Sequence, residues 1–434
     1  MTSSTRSSTT ERAMAATRQD AEGSRASSPP ATPPEMLPTP EPASVESGSS
    51  RRQPLAVWVL AFAAMVSFMG IGLVDPILKP IAANLGATPS QVSLLFTSYL
   101  LVTAFAMLIT SYVSSRFGGR TTLMIGLGVI IVFSTLAGTS PTVGALVGWR
   151  AGWGLGNALF IATALAAIIA VAHGGAEKAI TLYEAALGIG LSVGPLVGAV
   201  LGGWNWRAPF FGVATLMAIA LLAIVFFLKD KVKISHNIRP ADPIRALSHG
   251  GLLVMGIAAL LYNGGFFAVL AFTPFVVPFG AYGIGFLFFG WGVLVGVFAV
   301  WGAPWLRTRL GLTNAFALAF ALFTVILVVM ATNVHHAAVI ATCVVLCGIP
   351  LGVLNTLFTE TAMNVAPVPR PVASAGYNFV RFLGGAVSPF ICGKLGENVS
   401  EAAPFWFGAA CVAVGLAVLV LLGRRYLTKV AIAH

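Results

Sequence analysis

Residues 210–228 read FFGVATLMAIALLAIVFFL, nineteen positions without an ionisable side chain. A water-soluble domain has no use for such a run, whereas a bilayer core needs about 20 apolar residues per helix. In lipid every backbone amide must be satisfied within its own segment, so the run is a helix and not a strand. Outward from it in both directions, comparable runs fill the chain. The expected spans are 55–82, 91–113, 121–138, 142–171, 178–202, 207–228, 250–277, 283–304, 313–332, 337–363, 372–395 and 403–422. The fold class expected is an all-α membrane protein of twelve transmembrane helices in two pseudo-symmetric six-helix bundles. Composition agrees: 57% of residues are hydrophobic, 9% are charged and 47 are glycine. Glycine is favoured where membrane helices pack closely.

The net charge of +11 invites a nucleic-acid reading, but its location argues against one. Residues 1–53 hold six Arg and six Asp or Glu and are neutral, so the excess sits at helix ends. With the N-terminus inside, sixteen Lys or Arg, including Arg116, Arg120, Arg307, Arg309 and Arg370, fall on the inner face. Lys79, Arg207 and Lys394 alone fall on the outer face. This is the positive-inside pattern, and it predicts two cytoplasmic termini and a multi-pass protein of a bacterial inner or plasma membrane. The Pro- and Ser-rich residues 1–53 lack an apolar signal-peptide core and are expected to form a disordered cytoplasmic tail, with a second tail at 424–434.

Residues 229–249 form the longest loop, a cytoplasmic linker between an N-terminal six-helix unit at 54–228 and a C-terminal one at 250–423. The halves echo each other. Pro76-x-x-x-Pro80 returns as Pro274-x-x-x-Pro278, Arg116-Phe-Gly118 as Arg309-Leu-Gly311, and Pro195 as Pro389, at offsets of 198, 193 and 194. A duplicated unit is the build of alternating-access carriers, whose site lies between the halves near the midplane.

The sharpest motif is Gly188–Gly203, GIGLSVGPLVGAVLGG. Gly190, Gly194, Gly198 and Gly202 put bare backbone on one stripe of span 5, and Pro195 removes a helical hydrogen bond. The stretch resembles the antiporter motif of the major facilitator superfamily, in its drug–proton antiporter branch. The loop after span 2 is similar to the superfamily's loop signature in Arg116, Gly118, Arg120 and Leu123, with Ser115 where the family has an acid. Leu146-x-x-x-Arg150-x-x-x-Gly154-x-Gly156 is similar to its span 4 motif. The resemblance implies twelve helices, gating by the loop and span 5 residues, and an arginine at 150 associated with proton coupling.

The charges inside spans add an independent reading. An ionised Arg at a helix centre costs about 2.5–3.5 kcal/mol to insert, so it faces the protein interior with a partner. Arg150 lies roughly 12 Å and Asp75 roughly 10 Å below the outer surface at about 1.5 Å per residue, which makes Asp75 the natural partner. Lys79, four residues on, is the competing one. Glu184 is a second proton-site candidate. Glu360 reads as structural, and Arg381 is expected to pair with it or reach a polar cavity. Tyr262, Asn263, Phe266, Asn355, Asn378 and Arg381 are the expected substrate cavity, with Asn157 nearby, because buried amides want partners that a ligand can supply. Cys343, Cys347, Cys392 and Cys411 read as packing residues, and His335 and His336 as solvated loop residues.

The function expected is proton-coupled export of amphipathic or hydrophobic small molecules. The alternatives are proton symport of a sugar or organic acid, and a membrane-embedded sensor or enzyme. No metal-binding, nucleophile or phosphate-loop motif is present, so neither a catalytic site nor a cofactor is expected. The expected partners are a small-molecule substrate, protons and the lipid bilayer, with no nucleic acid and the chain as a monomer.

Overall fold

The computed structural model describes residues 53–173, 175–228, 239–423 and 426. The expected tails at 1–53 and 424–434 lie outside the described residues except for Gln53 and Tyr426, as does the linker from 229 to 238. The linker's remainder carries a short helix, Asp242–Ala246.

Twelve long helical segments alternate in direction. They are α1 (Leu55–Leu85), α2 (Pro89–Phe117), α3 (Gly119–Gly138), α4 (Val143–Val171), α5 (Gly175–Trp204) and α6 (Ala208–Phe227) in the first half. The second half has α7 (Gly250–Val276), α8 (Ala281–Leu310), α9 (Leu312–Thr332), α10 (Ala337–Asn364), α11 (Arg370–Asn398) and α12 (Ala403–Gly423). Eleven contain an apolar stretch sufficient to cross a membrane by itself, and α11 does not. Uniform apolarity is thus corrected at one span. α11 is 29 residues long but carries Arg370, Arg381, Lys394 and Glu397. Large apolar side chains such as Phe226, Trp301 and Leu421 are exposed on the bundle surface, as lipid contact requires.

Local chemistry sets the ends. Thr88 caps α2 reciprocally with Gln91, the side chain of each accepting from the other's backbone N–H. The α2–α3 and α8–α9 turns pivot on Gly118 and Gly311, with φ of 83° and 77°, a backbone region that favours glycine. These are the glycines of the repeated Arg-x-Gly signature, so both halves make the same turn with the same residues.

The glycine stripe of α5 faces α1. Gly190 abuts the Met65 carbonyl, Gly194 that of Met69, Gly198 that of Leu73, and Gly202 the Ile77 side chain. Each step of four on one helix is a step of four on the other, so the helices run parallel. The second half repeats the seam between α7 and α11, with Gly256 against Val380, Gly384 against the Leu260 carbonyl, and Ser388 donating to Gly264 O at 2.6 Å. The halves meet along two antiparallel seams. On one, α5 meets α8 through Gly188 and Gly296, Ser192 and Gly292, and Ala199 and Gly285. On the other, α2 meets α11 through Ser90 and Gly393, Phe105 and Phe379, and Ser111 and Pro371.

Candidate functional site

α1 is not continuous. Its α-helical part ends at Gly72, a single 3-10 turn covers Asp75–Ile77, and the helix resumes at Leu78. Pro76 inside that turn has no N–H to donate, and Pro195 of α5 abuts Gly72 just before it, where an added Cβ would lie 3.1 Å from the proline ring. Asp75 sits in the break with 0% exposure, and neither carboxylate oxygen has a hydrogen-bond partner. Arg150 of α4, also fully buried, is its electrostatic neighbour but not in hydrogen-bonded contact. Its guanidinium lies over the rings of Tyr99 and Trp153, 4.4 and 4.6 Å from their centroids, and donates to Gly70 O at 3.2 Å. The expected partnership is therefore one of proximity, not an ion pair, and aromatic faces supply the cation's contacts. Lys79 turns elsewhere: its Nζ donates to Val277 O of the other half at 2.6 Å.

A second charged cell lies between the halves, toward the end that carries Arg116 and Arg307. Glu184 of α5 and Arg381 of α11 are electrostatic neighbours across it. Both lie deep among neighbouring atoms yet keep part of their surface accessible. Arg381 donates to Asn355 Oδ1 of α10 at 2.5 Å, and its backbone carbonyl accepts from Asn263 of α7 at 3.0 Å. Tyr183, Tyr262 and Tyr377 surround the two charges. Tyr262 stacks on Phe358 with centroids 5.1 Å apart, and Phe266 stacks on Trp291 at 5.6 Å.

A sequence model of the Major Facilitator Superfamily matches residues 60–389. The chain belongs to the major facilitator superfamily. It is similar to the multidrug efflux protein YfmO of Bacillus subtilis, 51% identical over 88% of this chain and 96% of that protein. It is 23% identical to multidrug resistance protein 1 of the same organism, over 84% of this chain and 96% of that one. Among solved structures, the crystal structure of the human organic anion transporter MFSD10 superposes with a TM-score of 0.66 at 16% identity. That match covers 84% of this chain and 98% of the other, and it speaks to the fold alone.

The superfamily transporter described here brings together most of the residues singled out in its sequence. Asp75 and Arg150 share one cell, and Glu184, Tyr262, Asn263, Asn355 and Arg381 share the other. Asn378 turns along its own helix to Ser374 Oγ at 3.2 Å, and Asn157 accepts from Ser67 at 2.5 Å. Arg381 does not meet Glu360, which pairs with Arg307 of α8. Arg116 Nη1 lies 3.4 Å from Tyr112 Oη, and Arg120 donates to Val225 O at the end of α6. His335 is exposed and lies 3.7 Å from Glu401. Three of the four cysteines are buried and the fourth, Cys411, partly so, all within helices. Sequence reasoning missed Tyr99, Trp153, Tyr183 and Tyr377. A signal existed for two of them: Tyr183 and Tyr377 each adjoin a polar residue, Glu184 and Asn378, inside an otherwise apolar span. At the end opposite Arg116, Glu397 of α11 accepts from Ser90 N of α2 at 2.7 Å, Lys79 reaches Val277, and Gly203 meets Tyr282. The halves are bridged there.

Proposed function

We propose that this transporter exports amphipathic or hydrophobic small molecules in exchange for protons, as a monomer in a bacterial plasma membrane with both termini in the cytoplasm. Residues 54–228 and 250–423 rock as two units, exposing the central cavity to each side in turn. The bridge at Lys79, Ser90 and Glu397 then closes the outer side, and the cavity at Glu184 and Arg381 lies nearer the cytoplasm.

The observation that carries this reading is a buried acid with no hydrogen-bond partner beside a buried arginine, next to the glycine-and-proline stripe of α5. A carboxylate with no hydrogen-bond partner answers to its one charged neighbour, so changes in the separation of Asp75 and Arg150 change the electrostatic surroundings of the acid, which is what proton exchange there requires. Glu184 supplies a second acid, and its distance from Arg381 changes directly as the halves rock because the two lie in different halves. The name of the YfmO relative supports the cargo class.

The test uses the purified transporter in liposomes with an imposed pH gradient and no nucleotide. An uncharged dye or a lipophilic antibiotic should accumulate on the acidic side, opposite to the protons. Asp75→Asn should abolish this movement while the protein still inserts and melts normally. Movement of cargo with the protons, or wild-type exchange by the Asn variant, would remove the antiport assignment.

A further inference from the structure

Three buried polar atoms in the central cell have no hydrogen-bond partner: Glu184 Oε2, Arg381 Nε and the Tyr262 hydroxyl; the Tyr377 hydroxyl is within hydrogen-bonding reach of Arg381. They come from three helices, α5, α7 and α11, and from both halves. Buried polar groups are ordinarily paired, so a convergent unpaired set marks the footprint of something that pairs with them. Tyr183, Tyr262 and Tyr377 have only one another, Glu184 and Arg381 as charged or titratable neighbours. Among the described residues the cell therefore holds one negative and one positive group and no third charge. Aromatic rings border it, with Tyr262 stacked on Phe358 and the ring planes 7° from parallel.

We infer that this pocket selects flat aromatic molecules of zero net charge, neutral or zwitterionic, that present an acceptor to Arg381 and the tyrosines and a donor to Glu184. The inference rests on the transporter reading above and narrows its cargo. A single acid in a greasy cavity would select cations. Here a permanent cation meets Arg381, and an anion meets Glu184, each like-charge contact strengthened by the low dielectric of the interior. A zwitterion satisfies both charges at once, and a neutral ligand leaves the Glu184–Arg381 balance intact.

Equilibrium binding to the purified full-length transporter in detergent at neutral pH tests this with three aromatic probes. Norfloxacin is the zwitterion, tetraphenylphosphonium the monocation and nalidixate the monoanion. Wild type should bind norfloxacin about tenfold more tightly than either other probe, the size of one hydrogen bond to a charged group. Glu184→Gln should move the preference to nalidixate, and Arg381→Gln to tetraphenylphosphonium. The double variant Glu184→Gln with Arg381→Gln, which strands no charge and so guards against misfolding, should lose the norfloxacin preference without favouring either ion. Overturning results are a wild type that prefers either ion or binds none of the three, or one rank order in all four proteins. Gradient-driven transport by wild type is read separately in liposomes. If it persists while the binding order fails, the pocket assignment falls and the exchange mechanism stands; if transport fails while the order holds, the reverse is true.

Discussion

Arg150 and Arg381 are both intramembrane arginines with an acid nearby, and the protein treats them differently. Arg150 lies wholly within the first half, in the corner formed by two perpendicular aromatic rings, and its acid sits in the broken part of α1 next door. Arg381 lies at the junction of the halves, keeps accessible surface, and finds its acid on the opposite side of the seam. In the rocking motion proposed above, the first pair would stay nearly unchanged and the second would be stretched. On that proposal the first cell would change only by flexing α1 at its break, whereas the second would change with every cycle. One charge pair is thus a local element, the other a gauge of the global state.

The comparison is broken most forcefully at the seam that holds the first cell rigid. Gly194→Leu should abolish transport and destabilise the protein by about 3 kcal/mol or more, because a side chain there collides with the Met69 carbonyl, 2.6 Å from a Cβ, and no rotamer relieves a clash with backbone. Gly198→Leu should act in the same way against Leu73. Unchanged efflux and melting in both variants would mean that the α1–α5 seam opens freely.

A double-mutant cycle of Arg150→Ala and Asp75→Asn on thermal melting reads the first cell next. A coupling of about 1–2 kcal/mol is expected, within the range for close but imperfect contacts. The double variant should be more stable than Arg150→Ala alone, since no charge is then left unpaired. Additive losses would separate the two side chains. Arg150→Lys should also lose transport, since an ammonium does not reproduce a planar cation held against the rings of Tyr99 and Trp153.

The same cycle on Glu184→Gln and Arg381→Gln should give a smaller coupling, about 0.5–1 kcal/mol, because this pair is partly solvated. Its transport defect should nevertheless be large. A coupling that exceeds the Arg150–Asp75 value would invert the comparison. Smallest of all in stability, within about 0.5 kcal/mol, is Glu397→Gln at the bridged end, which removes the charge that accepts from Ser90 N–H. Its effect should appear as faster labelling of an engineered cysteine in the cavity from the side opposite Arg116.

Much of this was legible in the chain before any coordinates. Segments such as 210–228 fix helices because lipid allows nothing else, and the four-residue glycine repeat of span 5 has only one stripe to occupy. The repeated Arg-x-Gly turns announced the duplication, and Gly118 and Gly311 confirm it in their dihedrals. The depth argument put Asp75 and Arg150 side by side, yet depth says nothing about rotation around a helix axis. The rings that hold Arg150, and the turn of Lys79 toward Val277, depend on that rotation. Arg381 was assigned to Glu360 or to a polar cavity. Its partners come from α5, α7 and α10, and pairing across separate helices leaves no periodic trace in sequence.

α11 is the only one of the twelve without a stretch apolar enough to cross a bilayer unaided, and it is the helix that carries Arg381 and Tyr377. Its difficulty therefore belongs to biogenesis. While the chain is being made, the preceding spans can partition into lipid one at a time, but α11 must be received by helices already there: α2, which lines it along one seam, and α7, whose Leu260 and Gly264 lie against Gly384 and Ser388. Those hosts are synthesised earlier in both cases. The charged side chains that set this helix apart make it dependent on its siblings for a place in the membrane, so substitutions at α2 or α7 far from Arg381 would be expected to lower the yield of inserted protein.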